Sequence, residues 1–160
     1  MNTRGKRKTE AASRQGVRPR VRITRRLHFS AAHRLGREDW SAARNHEVFG
    51  LCANPNWHGH NYEIDVTVEG PVDPATGYVL DLKDLRDLVE SRVIRDLDHR
   101  NLNLDVSWLE DMNPTTENLV VAIWNRLRDA LPGGVRLVRI VLNETPRNSV
   151  EYRGEGEVGA

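Results

Sequence analysis

His58-Gly59-His60-Asn61-Tyr62-Glu63-Ile64-Asp65-Val66-Thr67-Val68-Glu69 alternates without a break, with His58, His60, Tyr62, Ile64, Val66 and Val68 on one parity and polar residues mostly on the other. Period-2 alternation is the signature of a β-strand with one buried face, and here two histidines open the apolar face. Upstream, Val21, Ile23, Leu27, Phe29 and Ala31 alternate with Arg22, Thr24, Arg26, His28 and Ser30, and His33 closes the buried parity of this earlier strand. If the two strands pair antiparallel, the end of the first lies beside the start of the second, so His33, His58 and His60 face the same side of the sheet at the same edge.

Gly70-Pro71-Val72-Asp73-Pro74-Ala75-Thr76-Gly77 reads as a loop, and Tyr78 to Leu80 as a short extended piece. Leu82, Leu85, Val89, Val93 and Leu97 recur at three- and four-residue intervals, which predicts a helix from Leu82 to about Asp96 running into Asp98-His99. After Pro114, Thr115 or Thr116 is a candidate N-cap for a second helix with the stripe Val120, Ile123, Trp124, Leu127 and Leu131, ended by Pro132-Gly133-Gly134. Val138, Ile140 and Leu142 then mark a third long strand whose buried parity leads to Glu144, and Val150 and Tyr152 a short fourth. The order ββααββ predicts an α+β domain, a four-stranded antiparallel sheet with two helices on one face.

The chain of 160 residues has room for one such domain. No apolar run approaches the roughly 18 residues of a spanning helix, which excludes membrane transport through helices. Cys52 is the only cysteine and cannot form an internal disulfide; the basic N-terminus lacks the apolar segment of a secretory signal, so the cytoplasm is the expected compartment. Net charge is +1, yet residues 1–20 carry seven basic side chains against Glu10 alone, a net +6 that leaves the rest at −5. Without aromatics or apolar periodicity, residues 1–20 read as a disordered, solubilising arm rather than a nucleic-acid-binding one. Residues 21–154 form the expected domain and 155–160 a flexible tail.

Three neutral imidazoles with an open fourth position make the ligand set of a catalytic zinc, whereas structural zinc usually takes four ligands, often thiolates. His28 has the opposite strand parity and His46 lies in the connecting loop, so both are read as non-ligands. Cys52 lies in that same connection, six residues before His58, where a thiol is either a fourth ligand or a base. Asp98-His99 sets a carboxylate beside an imidazole at a helix end, either as a proton relay or as surface charges at a cap. Glu144 continues a buried parity; its carboxylate is costly to bury alone and must meet a basic side chain or the N–H groups of a ligand. A non-catalytic metal- and nucleic-acid-binding protein would need no such relay.

Four motifs together carry a resemblance: Phe29-Ser30-Ala31-Ala32-His33-Arg34-Leu35, Cys52-Ala53-Asn54-Pro55-Asn56-Trp57-His58-Gly59-His60-Asn61-Tyr62, Leu97-Asp98-His99-Arg100-Asn101-Leu102 and Pro114-Thr115-Thr116-Glu117-Asn118. Over about residues 21–154 the chain resembles the 6-pyruvoyl tetrahydropterin synthase family, which includes the 6-carboxytetrahydropterin synthases. The resemblance implies the tunnelling T-fold, with subunits forming trimeric barrels that stack into homohexamers with active sites between subunits. It implies Zn2+ held by His33, His58 and His60, Cys52 as catalytic base, Asp98 and His99 as the rest of a proton relay, and Glu144 as the pterin anchor with Thr115, Thr116 and Glu117 near the same pocket. The implied substrate is 7,8-dihydroneopterin triphosphate, with no membrane or nucleic-acid partner. The five-residue insert Ala53 to Trp57 resembles the pyruvoyl-forming branch; the alternative product is 6-carboxy-5,6,7,8-tetrahydropterin, for deazapurine (queuosine) biosynthesis. Trp57 departs from the glycine familiar in the family before His58.

Overall fold

A computed structural model describes residues 18–155. Strand β1 (Arg20–His33) pairs antiparallel along its whole length with β2 (His58–Pro71), in the register that sets Phe29 opposite Tyr62, Ala31 opposite His60 and His33 opposite His58. β2 pairs antiparallel with β4 (Arg136–Thr145), and β4 with β5 (Asn148–Tyr152). The expected long strands are all present. A fifth, β3 (Arg100–Asn101), adds two residues parallel to Ala31 and Ala32, so the sheet is mixed and five-stranded, in the order β3-β1-β2-β4-β5, rather than four-stranded and antiparallel. Two residues carry no alternation, which is why β3 leaves no trace in the sequence pattern.

One face of the sheet carries the core. Phe29 and Tyr62, both fully buried, stack with ring centroids 4.8 Å apart, and Ile64, Val66, Val68, Ile140 and Leu142 continue that layer. Helix α2 (Leu82–Val89) is capped by Asp81, whose side chain accepts from the Lys83 N–H; it continues through a π turn (Glu90–Ile94) into α3 (Arg95–Leu97). The stripe Leu85, Val89, Val93 and Leu97 is buried as expected, but Leu82, in the first turn, is 42% exposed. Helix α4 (Thr116–Leu127) takes Thr115 as its N-cap and buries Val120, Ile123, Trp124 and Leu127. A β-bulge between Thr67 and Val68 shifts the β4 register, so Leu137 rather than Val138 joins the core cluster opposite Val68.

The β1–β2 connection holds a helix absent from the sequence reading, α1 (Ala42–Phe49). It lacks an apolar stripe and is held by polar contacts instead. The Ser41 hydroxyl accepts from Arg44 N–H (3.1 Å), and buried Asn45 accepts from Arg37 N–H and donates to Arg37 O, both at 2.8 Å. The expected arm and tail lie, apart from Arg18 to Arg20 and Glu155, outside the described residues. Arg20 belongs to β1 rather than to an arm, and its guanidinium meets Glu69 at 3.3 Å. Among the described residues no helix is long and apolar enough to cross a membrane.

Candidate active site

The β1–β2 register brings three histidines together. His33 is fully buried at the end of β1, and its Nδ1 donates to the carbonyl of Pro114 (2.9 Å) just ahead of α4. That bond sets the tautomer and leaves Nε2 as a lone pair, 2.9 Å from Nε2 of His58. The ligand nitrogens of His33, His58 and His60 all lie within 4.8 Å of one another, and Nε2 of His60 is buried without a hydrogen-bond partner. Three converging imidazoles, with His58 Nδ1 and His60 Nε2 both buried without a hydrogen-bond partner, are an arrangement that a cation completes. Burial lowers the pKa of both His33 and His58, so these imidazoles favour the neutral form in which they can ligate. The residues present therefore fit a metal ion held by three histidines, with room for a further ligand.

Glu144 stands beside this cluster. Its Oε1 lies 3.8 Å from Nε2 of both His33 and His60 and accepts from the hydroxyl of buried Thr116 at 2.9 Å. Between Asn143 and Thr145 the β4–β5 ladder shifts register, leaving Glu144 out of the pairing, while its side chain keeps the buried parity of Ile140 and Leu142, as expected. Of its expected neighbours, only Thr116 reaches the carboxylate. The Thr115 hydroxyl is taken by Asn118 N–H as the helix cap, and Glu117, one residue further round α4, is exposed.

Cys52 sits half-buried on a single 3-10 turn (Gly50–Ala53), anchored where its carbonyl accepts from Leu35 N–H at 2.8 Å. Burial first, and then the charge of Glu144, push the thiol pKa up, and Cys52 in turn adds to the upward shift of Tyr62, whose main cause is burial. A positive charge at the imidazoles would oppose both effects and favour the thiolate.

Asp98 and His99 lie elsewhere in the chain. Asp98 Oδ2 is 2.9 Å from His99 Nδ1, Asp98 Oδ1 accepts from Ser30 N–H (2.8 Å), and His99 N–H donates to Ser30 O (2.6 Å). The Ser30 bond is the main reason the Asp98 carboxyl is held below its ordinary range. The His99 side chain is 82% exposed and lines a cleft of about 450 Å³ together with Ser30, Ala32, Gly59, His60 and Asn61. Ser30, Ala32, Gly59 and Asn61 have the strand parity opposite to His33, His58 and His60. Within one chain the Asp98–His99 pair thus hydrogen-bonds the Ser30 backbone of β1 and borders mainly residues of the parity opposite to the three imidazoles, with His60 and Ala31 also on the cleft wall.

Two features of the site had no signal in residue type. The orienting group for His33 is a backbone carbonyl, and any residue at position 114 would supply one. Trp57, directly before His58, sits at φ 65°, a left-handed conformation costly for a side chain with a Cβ. Trp57→Gly and Trp57→Ala both lose the half-buried indole, but only glycine adopts this φ freely. Chemical denaturation should therefore find the glycine variant more stable than the alanine variant by about 1 kcal/mol.

An α+β domain with three histidines that could hold a metal ion where its first two strands meet, and a carboxylate beside them, has the arrangement of an enzyme site. The profile described as 6-pyruvoyl tetrahydropterin synthase matches residues 22–155, and the chain belongs to that family. It is 46% identical over 140 residues to the human 6-pyruvoyl tetrahydrobiopterin synthase, covering 88% of this chain and 96% of that protein, and 47% identical over 140 residues to the Pongo abelii protein of the same name, with the same coverage. The structure of Caenorhabditis elegans 6-pyruvoyl tetrahydropterin synthase superposes with a TM-score of 0.80 at 40% identity, covering 88% of this chain and all of that one.

Proposed function

We propose that this chain is a 6-pyruvoyl-tetrahydropterin synthase, a cytoplasmic zinc-dependent lyase that converts 7,8-dihydroneopterin triphosphate to 6-pyruvoyl-tetrahydropterin with loss of triphosphate. The observation that carries the reading is the convergence of His33, His58 and His60 beside Glu144, in a chain of this family. His33, His58 and His60 would hold the zinc, which when bound supplies a Lewis acid for the side-chain oxygens and acidifies the adjoining C–H bonds.

The chain's own groups account for the remaining steps. Glu144, kept in place by Thr116, accepts hydrogen bonds from the N–H groups of the pterin ring. Cys52, as thiolate, takes a proton from a side-chain carbon, and the Asp98–His99 pair gives and receives the second proton. The dihydropterin C=N takes up the electron pair that the first side-chain alcohol carbon loses on becoming a ketone, and triphosphate leaves the terminal carbon by elimination. The resulting enol tautomerises so that the second alcohol carbon becomes a ketone and the terminal carbon a methyl group, with no external oxidant or reductant.

Because Asp98–His99 bonds the Ser30 edge of β1 and borders mainly residues of the parity opposite to the imidazoles, we read the site as shared between subunits, with Cys52 from one copy and His99 from its neighbour, in a homohexamer. Mixed oligomers of Cys52→Ala and His99→Ala subunits should then recover activity that neither variant has alone. Mixtures as inactive as their parents would place all these groups in one chain.

The direct test incubates the purified protein with dihydroneopterin triphosphate and identifies the products by mass. Inorganic triphosphate and 6-pyruvoyl-tetrahydropterin are expected; 6-carboxytetrahydropterin would overturn the assignment. Glu144→Gln keeps an acceptor for Thr116 but loses the charge that favours paired N–H donors. Substrate affinity should fall by about 1.5–3 kcal/mol in equilibrium binding, with metal content unchanged.

A further inference from the structure

Most arginines that the structure describes on the sheet already hold a carboxylate. Arg22 meets Glu69 at 2.9 Å, and Arg26 grips Asp65 through two bonds of 2.7 and 2.8 Å. Arg95 on α3 and Arg100 on β3 differ: among the described residues neither guanidinium has an ion-pair or hydrogen-bond partner, and both border one polar cavity of about 230 Å³ with Ser107. The two carboxylates on its wall are already engaged. Asp96 Oδ2 accepts from Arg126 and from Trp108 Nε1, both at 3.0 Å, and Asp105 Oδ2 accepts from Asn101 N–H at 2.8 Å. Arg100 also lines the larger cleft that holds His99, so the two cavities share a wall at this residue.

The geometry points to an anion subsite in which Arg95 and Arg100, with the Ser107 hydroxyl as a neutral donor, bind the polyphosphate of the substrate. The inference rests on the lyase reading above. Along that substrate the ring lies at Glu144, the side-chain oxygens at the imidazoles, the exchanging proton at His99 and the phosphates beyond. Arg100 is the next residue after His99 and comes from the same copy of the chain. A planar guanidinium fork matches phosphate oxygens bidentately, and two of them stabilise both the bound ester and the departing anion.

The test uses the zinc-loaded full-length protein, with inorganic triphosphate as the probe. Arg95→Ala and Arg100→Ala should each weaken its calorimetric affinity roughly tenfold or more and raise KM for the triphosphate ester. Arg100→Lys should recover part of the loss. Affinity for unphosphorylated dihydroneopterin, and zinc content, should stay at the parent values. Unchanged triphosphate affinity in both alanine variants overturns the subsite, as does an equal loss of dihydroneopterin binding, which marks a structural role. If the parent makes product while the variants bind triphosphate normally, the subsite falls and the lyase reading stands. If the variants lose triphosphate while the parent makes no product, the reading falls and the subsite stands.

Discussion

His58→Ala is expected to empty the metal centre and abolish turnover. His58 supplies the nitrogen facing that of His33 at 2.9 Å, and without it two imidazoles remain, too few for a site that otherwise offers three. Lewis-acid stabilisation is worth several kcal/mol in a transition state, so turnover should fall about 1,000-fold or more. The fold should survive, because His58 lies at the rim of the core and Phe29, Tyr62 and Ile64 pack beneath it unchanged. Metal analysis gives the first readout. A chelator gives the second: metal bound only to the folded state stabilises it, so chelation should lower the Tm of the parent and leave that of His58→Ala unmoved. His28→Ala and His46→Ala, on exposed positions, should keep both metal and turnover. A His58→Ala protein that retains zinc and full activity would remove the three-histidine assignment.

Cys52→Ala should separate binding from chemistry. The thiol is on a separate turn and does not belong to the cluster of three ligand nitrogens, so the imidazoles stay in place, zinc is retained and Glu144 still anchors the ring. Loss of the proton acceptor should slow the chemical step by roughly 100-fold or more. Single-turnover rates, equilibrium binding and metal analysis on one preparation decide the point. Should zinc disappear along with activity, Cys52 is a ligand of the resting enzyme, and the base must be sought at His99 or Asp98.

These two variants probe residues that were legible in the sequence to different degrees. The three histidines were legible because strand parity is local: once β1 and β2 are recognised by alternation, antiparallel pairing puts His33 opposite His58. The role of Cys52 was not, since a thiol in an irregular loop is consistent with packing, ligation or base chemistry. In the structure Cys52 is half-buried on a 3-10 turn, with its carbonyl tied to Leu35 N–H. Helix α1 escaped detection because polar bonds from Ser41 and Asn45 hold it, where an apolar stripe would have announced it.

The sequence by itself determined the long strands, the two principal helices and the shared face of His33, His58 and His60. Each follows from a period of two or near 3.6, which any short window displays. Tertiary structure alone decided that the carbonyl of Pro114 orients His33, that Thr116 rather than Thr115 or Glu117 holds the Glu144 carboxylate, and that Asp98–His99 bonds the Ser30 backbone of β1. Those outcomes depend on backbone atoms common to every residue type and on registers between segments far apart in the chain, neither of which leaves a mark on local side-chain pattern.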